Sequence, residues 1–452
     1  MINLPEKVKF IIERITDAGF EAYAVGGCIR DSLLMRVPDD WDITTSATPY
    51  QVKEIFGYTI DTGIKHGTVT VMIEGEGFEV TTYRVDGKYE DNRHPSEVTF
   101  TPSLEEDLRR RDFTINAMAY NDRSGLVDIF EGEEDIKKKC IRCVGDPMER
   151  FSEDALRIMR GVRFSAQLGY VISKETKAAI KKLAPSLERI SAERIQTELV
   201  KLVISPHPDY LRTAYELGIT KVVLPEFDAC METEQNHPHH CYNVGEHILA
   251  SMKAIAPLKV LRLAMLFHDM GKPKTLTVDG DGISHFHGHA AISEEIGKRV
   301  LRRLKFDNHT IEQVMALVKY HDLFVDPSLK GVRRAVMKTG EDIFPMLLRV
   351  KAADLEAQSN YKREEKAEYL KEIGLLYQEV LDRKQCVSLK TLEISGKDLI
   401  ERLCMEPGKQ IGEVLNYLLD LVVEDSSRNQ KDFLLRQAGQ YLEKAHECKT
   451  DP

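Results

Sequence analysis

Apolar positions recur along this chain with two periods, and the change between them divides it. Val8, Ile11, Ile12 and Ile15 repeat at helical spacing between Glu6 and Gly19, and a glycine just past the last of them suits a helix end. Glu21–Val25 predicts a short strand, Asp40–Thr44 a second, and Thr68–Ile73 with Phe78–Tyr83 a β-pair around Glu74-Gly75-Glu76-Gly77. Ile29, Leu33 and Leu34 predict a helix that opens on Gly26-Gly27. Beyond Asp146 the pattern is helical. Leu156, Met159 and Phe164 share an apolar side, while Asp154, Arg157, Arg160 and Arg163 advance in threes along one stripe of the same helix. The expected fold class is α+β, a small mixed sheet with helices at the front and an all-helical remainder.

Composition narrows the class. The 452 residues suggest about three domains, and 42% hydrophobic content is enough for ordinary cores. No apolar run approaches the roughly 20 residues of a membrane span, and the first residues lack a signal-peptide pattern, so a cytoplasmic protein without membrane contact is expected. Eight scattered cysteines read as reduced thiols, and Cys140-x-x-Cys143, without a second such pair, as structural. A net charge of −10 excludes a protein that coats nucleic acid indiscriminately. An RNA-binding reading then needs local clusters of Arg and Lys.

Candidate chemistry begins at Gly26-Gly27-Cys28-Ile29-Arg30-Asp31 and Asp40-Trp41-Asp42. Residues two apart on a strand share a face, so Asp40 and Asp42 can reach one divalent cation or two close together. Mg²⁺ takes few protein oxygens plus substrate phosphates. A glycine turn at a helix N-terminus favours phosphate. Glu79 becomes a third carboxylate if its strand lies beside Asp40 and Asp42. The polar stretch from Asp86 to Pro102 reads as a long loop. Arg109-Arg110-Arg111-Asp112 brings arginines suited to triphosphate oxygens, and Asp112 and Asn116 are placed to read ribose hydroxyls. Asp154 and Arg157, an acceptor and donors one turn apart, can match the Watson–Crick edge of a base, a template made of protein. Arg160, Arg163, Lys174, Lys181 and Lys182 are expected to line a basic groove for RNA.

The second half is rich in histidine. His247, His268-Asp269, His289, His321 and Asp354 follow in an order that places imidazoles and carboxylates on several helices, able to converge on one or two divalent transition metals. His237, His239 and His240 read as loop residues.

Four blocks together carry a family likeness: Gly26-Gly27…Arg30-Asp31, Asp40-Trp41-Asp42, Arg110-Arg111-Asp112-Phe113-Thr114-Ile115-Asn116-Ala117, and Glu153-Asp154…Arg157, continued by Glu193-Arg194-Ile195…Glu198. The chain resembles class II CCA-adding enzymes and bacterial poly(A) polymerases, within the polymerase β-like nucleotidyltransferases. The resemblance implies that Asp40 and Asp42 hold Mg²⁺ and activate the 3′-hydroxyl of tRNA. It implies that Gly27, Arg30 and Arg111 hold the triphosphate, that Asp112 contacts the ribose, and that Asp154 and Arg157 select CTP or ATP. Arg160 and Arg163 would orient that helix or bind phosphate. A full-length segment from Arg84 to Pro95 favours complete CCA addition over a CC-only enzyme. The histidine series looks like an HD-domain metal site, whose relatives often hydrolyse phosphoesters.

The expected division is a nucleotidyltransferase head at 1–145, a helical neck for base selection and RNA binding at 146–225, an HD domain at 226–374 and a tRNA-binding tail at 375–452. An A-adding enzyme or poly(A) polymerase is the alternative within this chemistry. An HD phosphohydrolase with a nucleotide-binding front half is the alternative of another class. The sequence leaves the number of subunits open.

Overall fold

A computed structural model describes residues 2–86 and 98–450, without the side chains of Asp86 and 444–450. Most of the long polar loop expected between Asp86 and Pro102 therefore lies outside the described residues. The chain forms two compact units, Met1–Asp228 and Ala229–Pro452.

Among the described residues the first unit has eleven short strands, of which the first nine form its front part: β1 (Ala22–Val25), β2 (Ile43–Thr45), β3 (Thr59–Gly63), β4 (Thr68–Ile73), β5 (Glu76–Thr82), β6 (Arg84–Asp86), β7 (Val98–Phe100), β8 (Ala119–Asn121) and β9 (Gly125–Val127). Seven of them form one mixed sheet in the order β3-β4-β5-β2-β1-β8-β9. β2 and β5 run parallel, with Ile43 opposite Val80, and the other pairings are antiparallel. All four residues of β1 are buried, as a central strand covered on both faces requires. The β4–β5 hairpin turns at Glu74 (φ 52°) and Gly75 (φ 84°), and positive φ at both central positions is what a type I′ turn demands. The helix Glu6–Asp17 buries Val8, Ile11, Ile12 and Ile15, the apolar stripe read from the sequence, and Gly19 turns the chain beyond it at φ 92°.

Two local expectations need correction. β2 starts at Ile43, so Asp40 and Asp42 stand in the extended lead-in rather than within the strand, although Val25 N still donates to Asp42 O at 2.9 Å. The helix expected through Asp154 and Arg163 is two helices, Pro147–Glu153 and Leu156–Leu168. Asp154 is extended between them (φ −133°, ψ 102°), and its Oδ1 accepts from Leu156 N at 3.0 Å. A short carboxylate that captures an orphan amide of the next helix starts that helix rather than continuing the last one.

The second unit is helical apart from the two-residue pair Thr277–Val278 and Ser284–His285. Five helices matter below: Val244–Ala254, Lys259–Phe267, His289–Arg303, Asn308–Tyr320 and Phe344–Glu356. Further on, Leu399, Val414, Leu418, Val422, Leu434 and Ala438 are buried in a core of their own. Among the described residues no helix is long and apolar enough to cross a membrane.

Candidate active site

The turn between β1 and the helix Gly27–Leu33 can only be glycine. Gly26 has φ +85°, and a Cβ there would stand 3.0 Å from Arg111 Nη1. Arg111 thus packs directly on the turn. Its Nη2 lies 3.5 Å from Asp107 Oδ2, and its buried Nε has no hydrogen-bond partner among the described residues.

Beneath the turn runs a continuous polar chain. Arg30 donates to both oxygens of Asp31, at 3.0 and 2.8 Å, and to Asn116 Oδ1 at 2.6 Å. Asn116 Nδ2 donates to Asp112 Oδ1 at 3.1 Å, which also accepts from Phe113 N at 2.8 Å. Arg160 Nε donates to Asp112 Oδ2 at 2.7 Å. Burial alone would raise the Asp112 carboxyl. The Arg160 guanidinium and the Asn116 amide override it and hold the pKa down at about 2.

These groups border a cavity of about 560 Å³, which Asp40, Asp42, Gly27, Arg111, Asp154 and Arg157 also line. Asp42 opens on to it, yet the protein packed around its carboxyl raises the pKa. Arg111 opposes that shift and the Asp40 carboxylate adds to it. Two acids that repel one another beside an unpartnered arginine nitrogen fit a divalent cation with phosphate oxygens.

Also lining the cavity, Asp154 accepts at Oδ2 from Arg194 Nη2 at 2.8 Å. Arg157 is buried, donating to Glu153 Oε2 at 2.8 Å and to Arg110 O at 2.9 Å. Arg163 donates to Glu198 Oε2 at 2.9 Å and lies 3.6 Å over the Phe164 ring.

The second unit holds another cluster. His247 comes from Val244–Ala254, His268 and Asp269 follow Lys259–Phe267, His289 opens its helix, His321 follows Asn308–Tyr320, and Asp354 lies on Phe344–Glu356. Their ligating atoms fall into two groups, His247/His268/Asp354 and Asp269/His289/His321, each within 4.8 Å. His268, His289 and His321 place Nδ1 against the backbone oxygens of Met265, Phe286 and Val318, at 2.7, 2.9 and 2.7 Å. That contact puts the proton on Nδ1 and leaves Nε2 as the lone-pair nitrogen. Yet Nε2 of His268 faces Nε2 of His247 at 3.3 Å, and Nε2 of His289 faces that of His321 at 3.1 Å. Facing lone pairs repel unless a cation sits with them.

Comparison with known proteins decides the family. The "Poly A polymerase head domain" matches residues 22–142, the "Probable RNA and SrmB- binding site of polymerase A" 169–231, and "tRNA nucleotidyltransferase domain 2 putative" 279–438. The CCA-adding enzyme of Ligilactobacillus salivarius is 35% identical over 98% of this chain and 98% of its own, and that of Enterococcus faecalis 36% identical over 94% and 93%. The chain belongs to the CCA-adding enzyme family. The Bacillus stearothermophilus CCA-adding enzyme in complex with CTP superposes with a TM-score of 0.68 at 28% identity, covering 97% of both chains. The Thermotoga maritima CCA-adding enzyme complexed with tRNA_CCA shares the fold, with a TM-score of 0.57 at 19% identity over 97% and 96%.

The first cavity lies in the unit that the head-domain match covers for the most part. There the structure brings together Gly27, Arg30, Asp40, Asp42, Arg111, Asp112, Asn116, Asp154, Arg157, Arg160 and Arg163. Within the protein, Asp112 and Asn116 bond Arg160, Phe113 and Arg30, Arg160 pairs with Asp112, and Arg163 pairs with Glu198. Lys174, Lys181 and Lys182 are exposed on the helix Lys174–Leu183 and do not line the cavity. Glu79 is exposed on β5, level with Asp42 one place before the Ile43/Val80 pair, and does not line the cavity either. Arg194, quoted in the resemblance but given no role there, and Lys201 line it as well. The signal was there: on the helix Ala192–Val203, Ile195, Leu199 and Leu202 are buried, and Arg194, Glu198 and Lys201 follow one another along a neighbouring flank.

Proposed function

We propose that the first unit adds CMP and AMP to the 3′ end of tRNA from CTP and ATP, completing CCA without a nucleic-acid template. The observation that supports this most is the cavity itself. Asp40, Asp42, Arg111, Asp154 and Arg157 all line it, with Arg111 packed on Gly26. Arg111 takes the triphosphate beside the glycine turn, and Arg30 stiffens that turn through Asn116. Asp154, aimed by Arg194 and the Leu156 amide, accepts a hydrogen bond from the base edge, and Arg157 lies beside it. Asp40 and Asp42 would hold Mg²⁺, which when bound lowers the pKa of the attacking hydroxyl and offsets phosphate charge. The 3′-oxygen of RNA then bonds to the α-phosphorus and pyrophosphate leaves. Residues 1–145 supply the head and 146–225 the base-selecting neck, with the tail from about 375 gripping tRNA in the cytoplasm.

The test is incubation of tRNA ending before CCA, or in CC, with CTP and ATP separately. Full CCA addition requires CMP on the first and AMP on the second. AMP on the second alone marks an A-adding enzyme, and long A tails a poly(A) polymerase. Loss of all incorporation in Asp42→Ala is required by every one of these.

A second activity is favoured by the facing Nε2 atoms. We propose that residues 226–374 form an HD-type centre in which His247, His268, Asp269, His289, His321 and Asp354 would hold one or two divalent transition metals, and which hydrolyses phosphoesters. Purified protein containing only Mg²⁺ would defeat this reading and leave the first intact.

A further inference from the structure

Beside the histidine cluster lies a cleft of about 400 Å³, and one of its walls is not explained by the clustered ligands. His239, His240, Gln358 and Lys366 form it. Lys366 Nζ donates to Gln358 Oε1 at 2.7 Å and lies 3.3 Å from His239 Nδ1. Gln358 Nε2 in turn donates to Asp354 Oδ2 at 2.9 Å. Both partners of the ammonium are neutral, and among the described residues no carboxylate pairs with it. Lys272, the other lysine of the cleft, is different: its Nζ lies 2.7 Å from Asp269 Oδ2. His240 Nδ1 is buried with no hydrogen-bond partner among the described residues, and its ring stands edge-on to His247 with centroids 5.7 Å apart.

A half-buried ammonium with no carboxylate in contact costs stability. Lys366 lines the cleft, and an anion rich in acceptor oxygens bound there would pair with it. Lys366 keeps a proton beyond those directed at Gln358 and His239. Donors from two separate segments, 239–240 and the helix Arg363–Asp382, suit a tetrahedral group better than a planar carboxylate.

We propose that Lys366, held by Gln358 and flanked by His239 and His240, anchors the phosphate group of a phosphomonoester in this cleft. The inference rests on the reading of the cleft as a hydrolase site and names its substrate class. The phosphate can belong to a free nucleoside monophosphate or to the phosphorylated end of an RNA.

The experiment is calorimetric titration of the full chain with inorganic phosphate, metal-loaded and after chelation, with metal content measured on each sample. Lys366→Gln is expected to bind phosphate about tenfold more weakly, as loss of a charged hydrogen bond implies, with unchanged metal content. Lys366→Arg should stay within about threefold of the parent, because it keeps the charge. Equal phosphate affinity in the parent and Lys366→Gln would overturn the anchor, as would a parent that binds no phosphate in either state. A chain that retains no transition metal defeats the hydrolase reading, but Lys366-dependent binding after chelation still upholds the anchor. Competition by a nucleoside 3′-monophosphate, and by an RNA oligonucleotide ending in 3′-phosphate, identifies which source the anchor serves.

Discussion

Arg194 Nη2 donates to Asp154 Oδ2 at 2.8 Å, so a residue forty positions downstream fixes a carboxylate that lines the first cavity. The other oxygen of Asp154 is held by the Leu156 amide. Arg194→Met removes one of two restraints and leaves the helices intact. A hydrogen bond to a charged group is worth about 1.5–3 kcal/mol, roughly tenfold or more in a rate ratio. Discrimination of CTP and ATP against UTP and GTP should fall by about that factor, read by single-turnover incorporation, with thermal stability near that of the parent. An unchanged ratio would remove Arg194 from nucleotide choice.

The Asp112–Arg160 pair should show itself in acid. The folded-state pKa of Asp112, about 2, lies below the ordinary carboxylate value, so its contribution to stability is present above about pH 4 and is lost as pH falls toward 2. Arg160→Met leaves a buried carboxylate without its cation, at a cost of about 2–3 kcal/mol near neutral pH. Urea unfolding from pH 7 downward should show the gap between variant and parent closing as the acid protonates. A gap that widens toward acid would contradict the pairing.

Gly26→Ala should damage catalysis more than Gly27→Ala. The first places a side chain at φ +85° and drives its Cβ to 3.0 Å from Arg111 Nη1, whereas at Gly27 the nearest atom is Arg30 Nη2 at 3.7 Å. The left-handed strain costs about 1–2 kcal/mol, and displacement of Arg111 should raise the KM for CTP about tenfold. Steady-state incorporation with both variants gives the ranking.

The two clusters should be separable by mutation. His321→Ala is expected to lose bound transition metal, measured by emission spectrometry, and any hydrolysis of phosphomonoesters, while CMP and AMP incorporation persists. Asp42→Ala should do the reverse. Loss of both activities in either variant would argue against two independent centres.

Thiol reactivity should follow burial. Burial pushes Cys28 up to about 11 and Cys143 up to about 12, so neither is appreciably thiolate at pH 8. Cys241 and Cys404 are exposed. Iodoacetamide at pH 8 should modify Cys241 and Cys404 first, with Cys28 and Cys143 following only on unfolding, as mapped by mass spectrometry of timed digests.

Much of this was legible in the chain because the pattern and the chemistry agreed. The stripe of Val8, Ile11, Ile12 and Ile15 lies on the buried face of its helix, and β4 and β5 pair around the Glu74-Gly75 turn. The histidine series converges because each ligand sits at or near the end of a helix, in an order the sequence preserves. What the sequence hid are long-range choices of partner. The period-three run from Asp154 to Arg163 suggests one continuous stripe, and only the capture of the Leu156 amide by Asp154 breaks it. Arg163 reads as a free cation until Glu198, thirty-five positions away, is folded against it. Arg194 shares a flank of its amphipathic helix with Glu198 and Lys201, but its partner Asp154 lies forty positions away.

The run Asp31–Arg30–Asn116–Asp112–Arg160 ties together three segments distant in sequence, and every member is answered by its neighbours. Exchanging any one of them alone strands a charge or an amide, so drift in this layer requires matched double changes. Asp154 and Arg194 stand outside that run. Laboratory selection for altered nucleotide preference should therefore collect its first single substitutions at this rim and leave the interlocked layer untouched.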